Sequence, residues 1–548
     1  MIPFLDRNPS LWPVALFFLL FLPALVAVSR SASLSAWLYR VEPRLLWLWS
    51  LGGIGIFAFC DLAYLTCPAF FDFFEPCGAS VAYTVFHGGV AFPDLADAER
   101  YSLPYGPIFY LVLGFSQWSL GAGTFSSKLP GCLMAGLAIG LFWWILRRRR
   151  LPPLAACALT ALLATCLLAF RIIVFWTKSD GLILLLVTIG IWAAFRRSWL
   201  GFTLLGACIG LGIGCKFTAA AYFLPILVIA FCTGWKWRDF VICGGTAIAC
   251  VLLPFVLLPG QFPWRPYLTF LGAVRHGEYG LFPAFNYLRW VLMLPGLILV
   301  SDHFICRSVT PQSRRRRLIY GAALACGFAL VALPSCAVGS GSHHLLPFVP
   351  LVFLAFGNLF DRKESLEWRY SQKPLWRAAT YAILTGCVLV AIQTASRLLH
   401  QRKEIGGQAT ACETDLRQIL TRHSQSTLLM GTSFGDEAGI PVLFRAELVF
   451  AGHPIGLDAS AVSDYQSAGV ADPDLPRFTE EIHRRNPRPI LWLLPRGGAP
   501  FTSTNRYDGV LLIYPEKFRR DFSDRFALRE TTAFFDLYFP IQDGLPPH

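Results

Sequence analysis

The chain has 548 residues, of which 55% are hydrophobic and only 15% are charged, and its mean hydropathy is +0.52. Soluble proteins carry about a quarter charged residues, so this composition excludes a soluble globular protein. The net charge of +13 does not indicate nucleic-acid binding, because the arginine clusters at 147–150 and 314–317 lie directly beside apolar segments and no binding motif accompanies them.

Apolar segments recur along the first 396 residues and predict about 12 transmembrane helices. The first is interpreted as a retained helix rather than a cleaved signal peptide. If the arginines at 147–150 lie on the cytoplasmic side, the number of predicted spans that follow places the arginines at 314–317 on that side too. The spans are predicted at 11–28, 44–66, 126–146, 152–170, 180–196, 198–214, 217–233, 239–258, 287–305, 318–337, 344–360 and 378–396.

The loop at 67–125 is predicted to lie on the outer side. Its apolar stretch at 107–123 would reverse the orientation if it crossed, so it is predicted to lie in the outer interface or to dip in and return. Cys67 and Cys77 flank the start of this loop and could form a disulfide. The remaining cysteines mostly lie in apolar segments and show no zinc-binding spacing.

The composition changes at the end of the last span, which predicts a transmembrane domain at 1–396 and a small external α/β domain at 397–548. Strands are predicted in STLLMGTSF at 426–434, AELVFAG at 446–452, PILWLLP at 489–495 and GVLLIYP at 509–515.

The stretch FFDFFEPCG at 70–78 places two acids, Asp72 and Glu75, among four phenylalanines at the outer end of a span. Ionisable residues near the ends of spans are costly and therefore informative, and the alternative is that both are solvated acids of an interfacial loop. Pro76 suits the first turn of a helix, and the helix end would favour an ionised Glu75. Either acid could be a general base, and Asp72 could instead orient Glu75.

The order of the outer segments resembles the GT-C superfamily of membrane glycosyltransferases, including its protein mannosyltransferase and aminoarabinose transferase types. The resemblance rests on Glu75-Pro76, GGVAFPD, RYSLPYGPIFY, WTKSDGLILLLV, GLGIGCKFTAA and SHHLLPFVPLVFL, and covers about 44–360. It implies an inverting transferase that moves a sugar from a polyprenyl-phosphate donor to a lipid, glycan or protein acceptor on the outer face of the bacterial inner membrane. Its catalytic residues would be Glu75 and Asp72, and its substrate-binding residues Lys178, Asp180, Lys216, Arg171, His343, His344 and Tyr105.

Other readings remain open at this point. A transporter or flippase would place ionisable residues near mid-membrane and often shows an internal repeat, and this chain shows neither. A sensor or scaffold would leave the outer acids unexplained. No cofactor is predicted besides the lipid-linked donor; Asp72, Glu75 and a histidine could hold a divalent metal, but their spacing does not require one.

Overall fold

The computed structural model describes residues 32–149, 151–170, 172–274, single helical positions between 281 and 291, 311–336, 342–354, 374–433, 439–467, 469–470, 472–505 and 511–541. The predicted span at 11–28, nearly all of the span at 287–305 and the predicted site residue Arg171 lie outside the described residues.

Helices make up most of the described chain. In the part that precedes the C-terminal sheet they are α1 (Ala32–Leu65), α2 (Phe74–Phe86), α3 (Pro107–Leu120), α4 (Thr124–Arg148), α5 (Pro153–Ala169), α6 (Asp180–Ala194), α7 (Trp199–Cys215), α8 (Ala220–Cys232), α9 (Trp237–Leu257), α10 (Trp264–Val274), α11 (Pro311–Cys336), α12 (Val349–Leu354) and α13 (Pro374–Arg422). Short 3₁₀ segments at Phe217–Ala219 and Ser342–Phe348 precede α8 and α12.

Four apolar segments of these helices are long enough to cross a membrane: Pro43–Leu65, Thr124–Arg148, Trp237–Leu257 and Leu318–Cys336. Shorter apolar helices such as α5 and α6 pack among them, and Leu162 and Val187 are completely buried. Helices that are apolar all round are either membrane spans or helices of a buried core, so these shorter helices leave the predicted spans at 152–170 and 180–196 untested. The described helices support a polytopic helical membrane protein, while the count of about 12 spans stays a prediction.

Two short helices, α2 and α3, follow the first long span. At 14 residues, α3 is roughly 21 Å long and too short to cross the roughly 30 Å hydrocarbon layer. Phe115 and Trp118 on this helix are exposed, as suits a helix in the membrane interface. The predicted helix is therefore present, and its position in the interface stays a prediction.

The disulfide considered between Cys67 and Cys77 is wrong. Both cysteines are free and buried, and the Cys77 Sγ lies 3.4 Å from the carbonyl oxygen of Tyr101. Cys77 is occupied in packing α2 against the outer loop, so closeness in sequence to Cys67 does not bring the two sulfurs together.

The C-terminal region contains β1 (Thr427–Met430), α14 (Arg445–Phe450), α15 (Ala459–Ser467), α16 (Leu475–Arg485), β2 (Ile490–Pro495), α17 (Glu516–Arg525), β3 (Phe526–Thr531) and β4 (Phe535–Pro540), with a 3₁₀ segment at Ile440–Phe444. The four strands form one sheet in the order β1-β2-β4-β3. β1 pairs in parallel with β2, with Thr427 opposite Ile490, and the other two pairings are antiparallel.

Two of the four predicted strands are confirmed, since STLLMGTSF contains β1 and PILWLLP contains β2. The strand predicted in AELVFAG is wrong: residues 446–450 belong to α14, which packs mainly against α2 and also contacts β1. In GVLLIYP the described residues show only an isolated bridge between Leu512 and Thr504. The strands β3 and β4 are not predicted by the sequence analysis, because apolar and polar residues do not alternate regularly in FALRET and FDLYFP.

The C-terminal region packs directly onto the outer loop. The Arg100 backbone N–H donates to Gly456 O at 3.1 Å, and the Asp458 N–H donates to Arg100 O at 2.8 Å. Arg485 forms an ion pair with Glu99, and Tyr83 on α2 meets Phe450 edge to face at 5.2 Å. The predicted domain boundary after 396 lies inside the continuous helix α13.

Candidate active site

Glu75 is fully buried in the first turn of α2, where its carboxylate is enclosed by hydrogen-bond donors. One oxygen, Oε2, accepts from the backbone amides of Phe71 at 2.8 Å and Asp72 at 3.0 Å. The other, Oε1, accepts from the Thr177 amide at 2.9 Å and from the Tyr64 hydroxyl. Four donors satisfy nearly all the lone pairs that a carboxylate offers. Glu75 therefore ties the loop before α2 to the segment before α6.

Asp72 faces a different environment. Its Oδ1 accepts from the Phe74 amide at 2.8 Å, while its Oδ2 lies 3.5 Å from the Lys178 ammonium. About 15% of the Asp72 side chain and 10% of the Lys178 side chain are exposed, so both remain reachable. Lys178 also lies 4.4 Å from the Trp176 ring and 5.1 Å from the Phe74 ring. This is an acid and a cation in an aromatic pocket that a ligand could enter.

A second group of predicted residues adjoins this pair. Asp180 begins α6, is 2% exposed, and its Oδ2 has no hydrogen-bond partner among the described residues. Asp180 interacts electrostatically with Lys216 and with His343, and the charge of Lys178 also affects both residues. The structure thus collects the charges of these residues around the start of α6.

The two predicted histidines stack on each other, with 4.6 Å between their ring centroids, in the 3₁₀ segment that precedes α12. Tyr222 on α8 donates to the backbone carbonyl of His344 at 2.9 Å, which fixes this segment to the bundle. His344 is buried, while His343 is partly exposed. His343 is therefore the one of the pair that a ligand can reach.

Tyr105 is buried and packs on Phe109, with 4.7 Å between ring centroids. The next residue, Gly106, donates its backbone N–H to the carbonyl oxygen of Cys215 at 2.8 Å, which places this segment beside the end of α7. A substrate-binding role for Tyr105 stays a prediction.

A narrow groove opens beside Lys178, between α3, α4 and the start of α6. Its wall is mainly apolar and is formed by Phe109, Leu113, Pro130, Gly131, Lys178 and Leu182. The helices approach closely here: a Cβ on Gly131 would lie 2.4 Å from the carbonyl oxygen of Phe175, and one on Gly181 would lie 2.8 Å from that of Gly131. Glycine is required at both positions because backbone packs directly on backbone.

Sequence reasoning missed two residues that organise the site, Tyr64 and Lys128. Lys128 on α4 is completely buried, and its ammonium donates to three backbone carbonyls, those of Tyr64 at 3.2 Å, Cys67 at 3.0 Å and Ala69 at 2.6 Å. The available signal was a lone lysine in SSKLPG at the outer end of a span, where a charge must find partners.

A separate cavity of about 740 Å³ lies between the outer loop and the C-terminal region. It is lined in part by Tyr83, His87, Asp94, Glu99, His453 and Arg485. Burial raises the pKa of Glu99, and the opposing effect of Arg485 is smaller. Tyr83 is about eleven residues along from Asp72, or roughly 17 Å of helix, so this cavity is distinct from the Asp72 pocket.

Among the described residues, no group of three or more His, Cys, Asp and Glu side chains is arranged to hold a metal ion. The described residues at the Asp72 pocket supply one accessible carboxylate, nearby ammonium groups and aromatic walls.

The helical bundle, with the C-terminal region packed on the segment between α1 and α4, is shared by two crystal structures. ArnT from Cupriavidus metallidurans bound to undecaprenyl phosphate is 14% identical, with a TM-score of 0.53, and the match covers 94% of this chain and 100% of that chain. The apo form matches with a TM-score of 0.52 at the same identity and coverage.

The likeness to ArnT confirms the GT-C fold that the sequence resemblance predicts, and at this level of identity it establishes the fold alone. The comparison with protein families gives no match, and neither does the comparison with curated proteins.

Proposed function

We propose that the protein is a GT-C glycosyltransferase that moves a sugar from a polyprenyl-phosphate donor to a hydroxyl of a lipid, glycan or protein acceptor. The observation that carries this proposal is the pair formed by Asp72 and Lys178, 3.5 Å apart, with Lys178 also lining a narrow apolar crevice. A proton acceptor and a phosphate-binding cation are the two groups that the transfer requires. The ArnT structure with undecaprenyl phosphate supports the class of donor.

Asp72 is the better candidate for the base, and Glu75 for a positioning residue. Glu75 accepts four hydrogen bonds in a fully buried place, so an acceptor hydroxyl would have to displace one of these donors to reach it. Asp72 keeps Oδ2 for a ligand apart from its long contact with Lys178. In the proposed step the acceptor oxygen attacks the sugar C1, its proton passes to Asp72, and the C1–O bond to the phosphate breaks with inversion.

Donor binding would activate the base. The 3.5 Å separation is longer than the roughly 2.7–2.9 Å of a strong charge-assisted hydrogen bond, so the resting ion pair is loose. The donor phosphodiester carries one negative charge, as the Asp72 carboxylate does, and would compete with it for Lys178. When Lys178 turns to the phosphate, the Asp72 Oδ2 is freed to accept a hydrogen bond from the acceptor hydroxyl. Lys216 and His343 would complete the phosphate site, with Asp180 orienting the lysines.

The polyprenyl chain would lie beside the exposed aromatic face of α3, because the crevice between α3 and α4 has a volume of about 10 Å³, room for about one water molecule. The acceptor side of the pocket and the C-terminal region would face the outside of the bacterial inner membrane, opposite the arginines at 147–150. The two ends of α4, Thr124 and Arg148, are 25 residues or roughly 37 Å apart, which is enough to separate the two faces.

The test is transfer by the purified protein. Incubation with a panel of polyprenyl-phosphate sugars should release polyprenyl phosphate from at least one donor, and the Asp72→Asn variant should not release it. Absence of release from every donor, with bound donor demonstrated, would count against a transferase and favour a carrier of the lipid-linked sugar.

A further inference from the structure

Lys128 is a buried charge that the proposed chemistry does not use. It lies on α4, is completely buried and is covered by the rings of Tyr64, Phe71 and Phe70 at 4.5, 5.3 and 5.8 Å from its ammonium. A buried charge without function is costly and is normally paired or fully hydrogen-bonded. Its surroundings therefore show what it stabilises.

The contacts of Lys128 specify the charged form. An ammonium has three N–H donors, and three carbonyl oxygens lie within 3.2 Å of the nitrogen. A neutral amine has two donors and would present a lone pair to the third carbonyl. Burial opposes the charge, and the carboxylate of Glu75, which accepts from the hydroxyl of the same Tyr64, acts in favour of it.

The three carbonyls lie where α1 ends and the loop to Asp72 begins. Tyr64 is in the last turn of α1, whose C-terminal carbonyls have no partner within the helix, and cations stabilise that end. Cys67 and Ala69 belong to the irregular stretch after it. Lys128 therefore holds the start of this loop, while Glu75 holds its end through the amides of residues 71 and 72.

We infer that Lys128 is a positioning residue for the transfer: it acts with Glu75 as one of two opposite charges that clamp the loop and fix the Asp72 carboxylate opposite Lys178. This inference rests on the proposed function, because it assigns a role at the same site. The clamp explains how a loop without regular structure can present a carboxylate in a defined place. Catalytic geometry is sensitive to displacements of about 1 Å, which can cost a hundredfold in rate.

The test compares Lys128→Met with Lys403→Met, a matched change at an exposed lysine on α13. In Lys128→Met we expect kcat to fall by about a hundredfold while the KM for the donor stays nearly constant, because Lys178 and the groove are unchanged. Lys128→Gln, which keeps two N–H donors, should show a smaller loss and serves if the methionine variant does not fold. Lys403→Met should behave as the unmodified protein.

Hydrogen exchange gives a second measurement that does not depend on activity. Amides 71 and 72 should exchange faster in Lys128→Met, whereas those of β2 should keep their protection. Unchanged kcat and unchanged loop protection would overturn the inference, and so would loss of protection throughout the chain, which would make Lys128 a general stability residue. If the unmodified protein transfers no sugar, the proposed function fails, and the exchange measurement still decides whether Lys128 holds the loop.

Discussion

The backbone amide of Asp72 donates a hydrogen bond to the carboxylate of Glu75 at 3.0 Å, while the Asp72 carboxylate itself points to Lys178. The two acids of FFDFFEPCG therefore differ in environment despite their closeness: Glu75 is enclosed and holds the backbone of Asp72. Their positions in the sequence do not reveal this difference, because it arises from how deeply the fold buries each side chain.

Replacing the two acids should separate these roles. Asp72→Asn should lower turnover by at least about a hundredfold, the usual effect of losing a general base, with an unchanged melting temperature. Glu75→Gln places an amide N–H₂ against backbone donors in a buried place and should cost about 1–3 kcal/mol of stability. Turnover with saturating donor and thermal unfolding in detergent are the measurements. An inactive but fully stable Glu75→Gln protein would return the role of base to Glu75.

Removing the site lysines should weaken donor binding. A charge-assisted hydrogen bond to phosphate is worth about 1.5–3 kcal/mol, so Lys178→Ala should lower the affinity for a polyprenyl-phosphate donor by roughly tenfold to a hundredfold. Lys216→Ala should act in the same direction. Lys403→Ala is the control for loss of a lysine in the same chain. Binding can be followed by titration of donor in nanodiscs, and equal affinity in all three variants would assign both site lysines to lipid headgroups.

Close packing at Gly131 should be as important as the charges. A Cβ there would meet backbone oxygens of Phe175 and Trp176 at 2.4 and 2.7 Å, so Gly131→Ala must push away the segment that carries Lys178. Overpacking of this kind costs about 1–3 kcal/mol. Gly136→Ala on the same helix meets nothing within 4 Å and should be neutral or slightly stabilising. The measurements are the melting temperatures and donor affinities of the two variants. Equal values would mean that the segment carrying Lys178 can shift without a loss of stability or of donor binding.

Glu447 on α14 should make stability depend on pH. Burial, reinforced by Glu413, raises its pKa to about 7 from the ordinary 4.5. The folded state therefore binds a proton that the unfolded state has released between these values, so stability should fall as pH rises from about 4.5 to 7, by roughly 1–3 kcal/mol.

Glu447→Gln should remove this slope, and Glu516→Gln, at a side chain that is 75% exposed, should leave it unchanged. The dependence of stability on pH is measured by thermal unfolding of the detergent-solubilised protein at several pH values. A slope that persists in Glu447→Gln would assign the pH dependence to another group.

The sequence predicts the class of fold well because membrane insertion imposes a long-range pattern of apolar segments and arginine clusters. It also predicts the charges that meet around the start of α6, since Asp72, Lys178, Asp180 and Lys216 all stand at the ends of apolar helices. It does not predict that Glu75 is enclosed, because the Thr177 amide that completes its shell comes from 102 residues further along the chain. AELVFAG was mistaken for a strand because a six-residue helix buried on one side has the same composition as a buried strand.

The helix α13 has 49 residues and is therefore roughly 73 Å long, more than twice the thickness of the hydrocarbon layer. Near the middle, Arg402 donates to Thr66 at 3.0 Å, and near its far end Asp415 accepts from the Phe534 amide at 2.9 Å beside the sheet. One rigid rod thus sets both the height and the rotational phase of the C-terminal region over the outer loop. A single residue inserted between these contacts would rotate that region by roughly 100° about the helix axis. Seven inserted residues would nearly restore its original orientation but move it about 10 Å along the axis. The cavity at Glu99 and Arg485 therefore depends on the number of residues in a helix that does not line it.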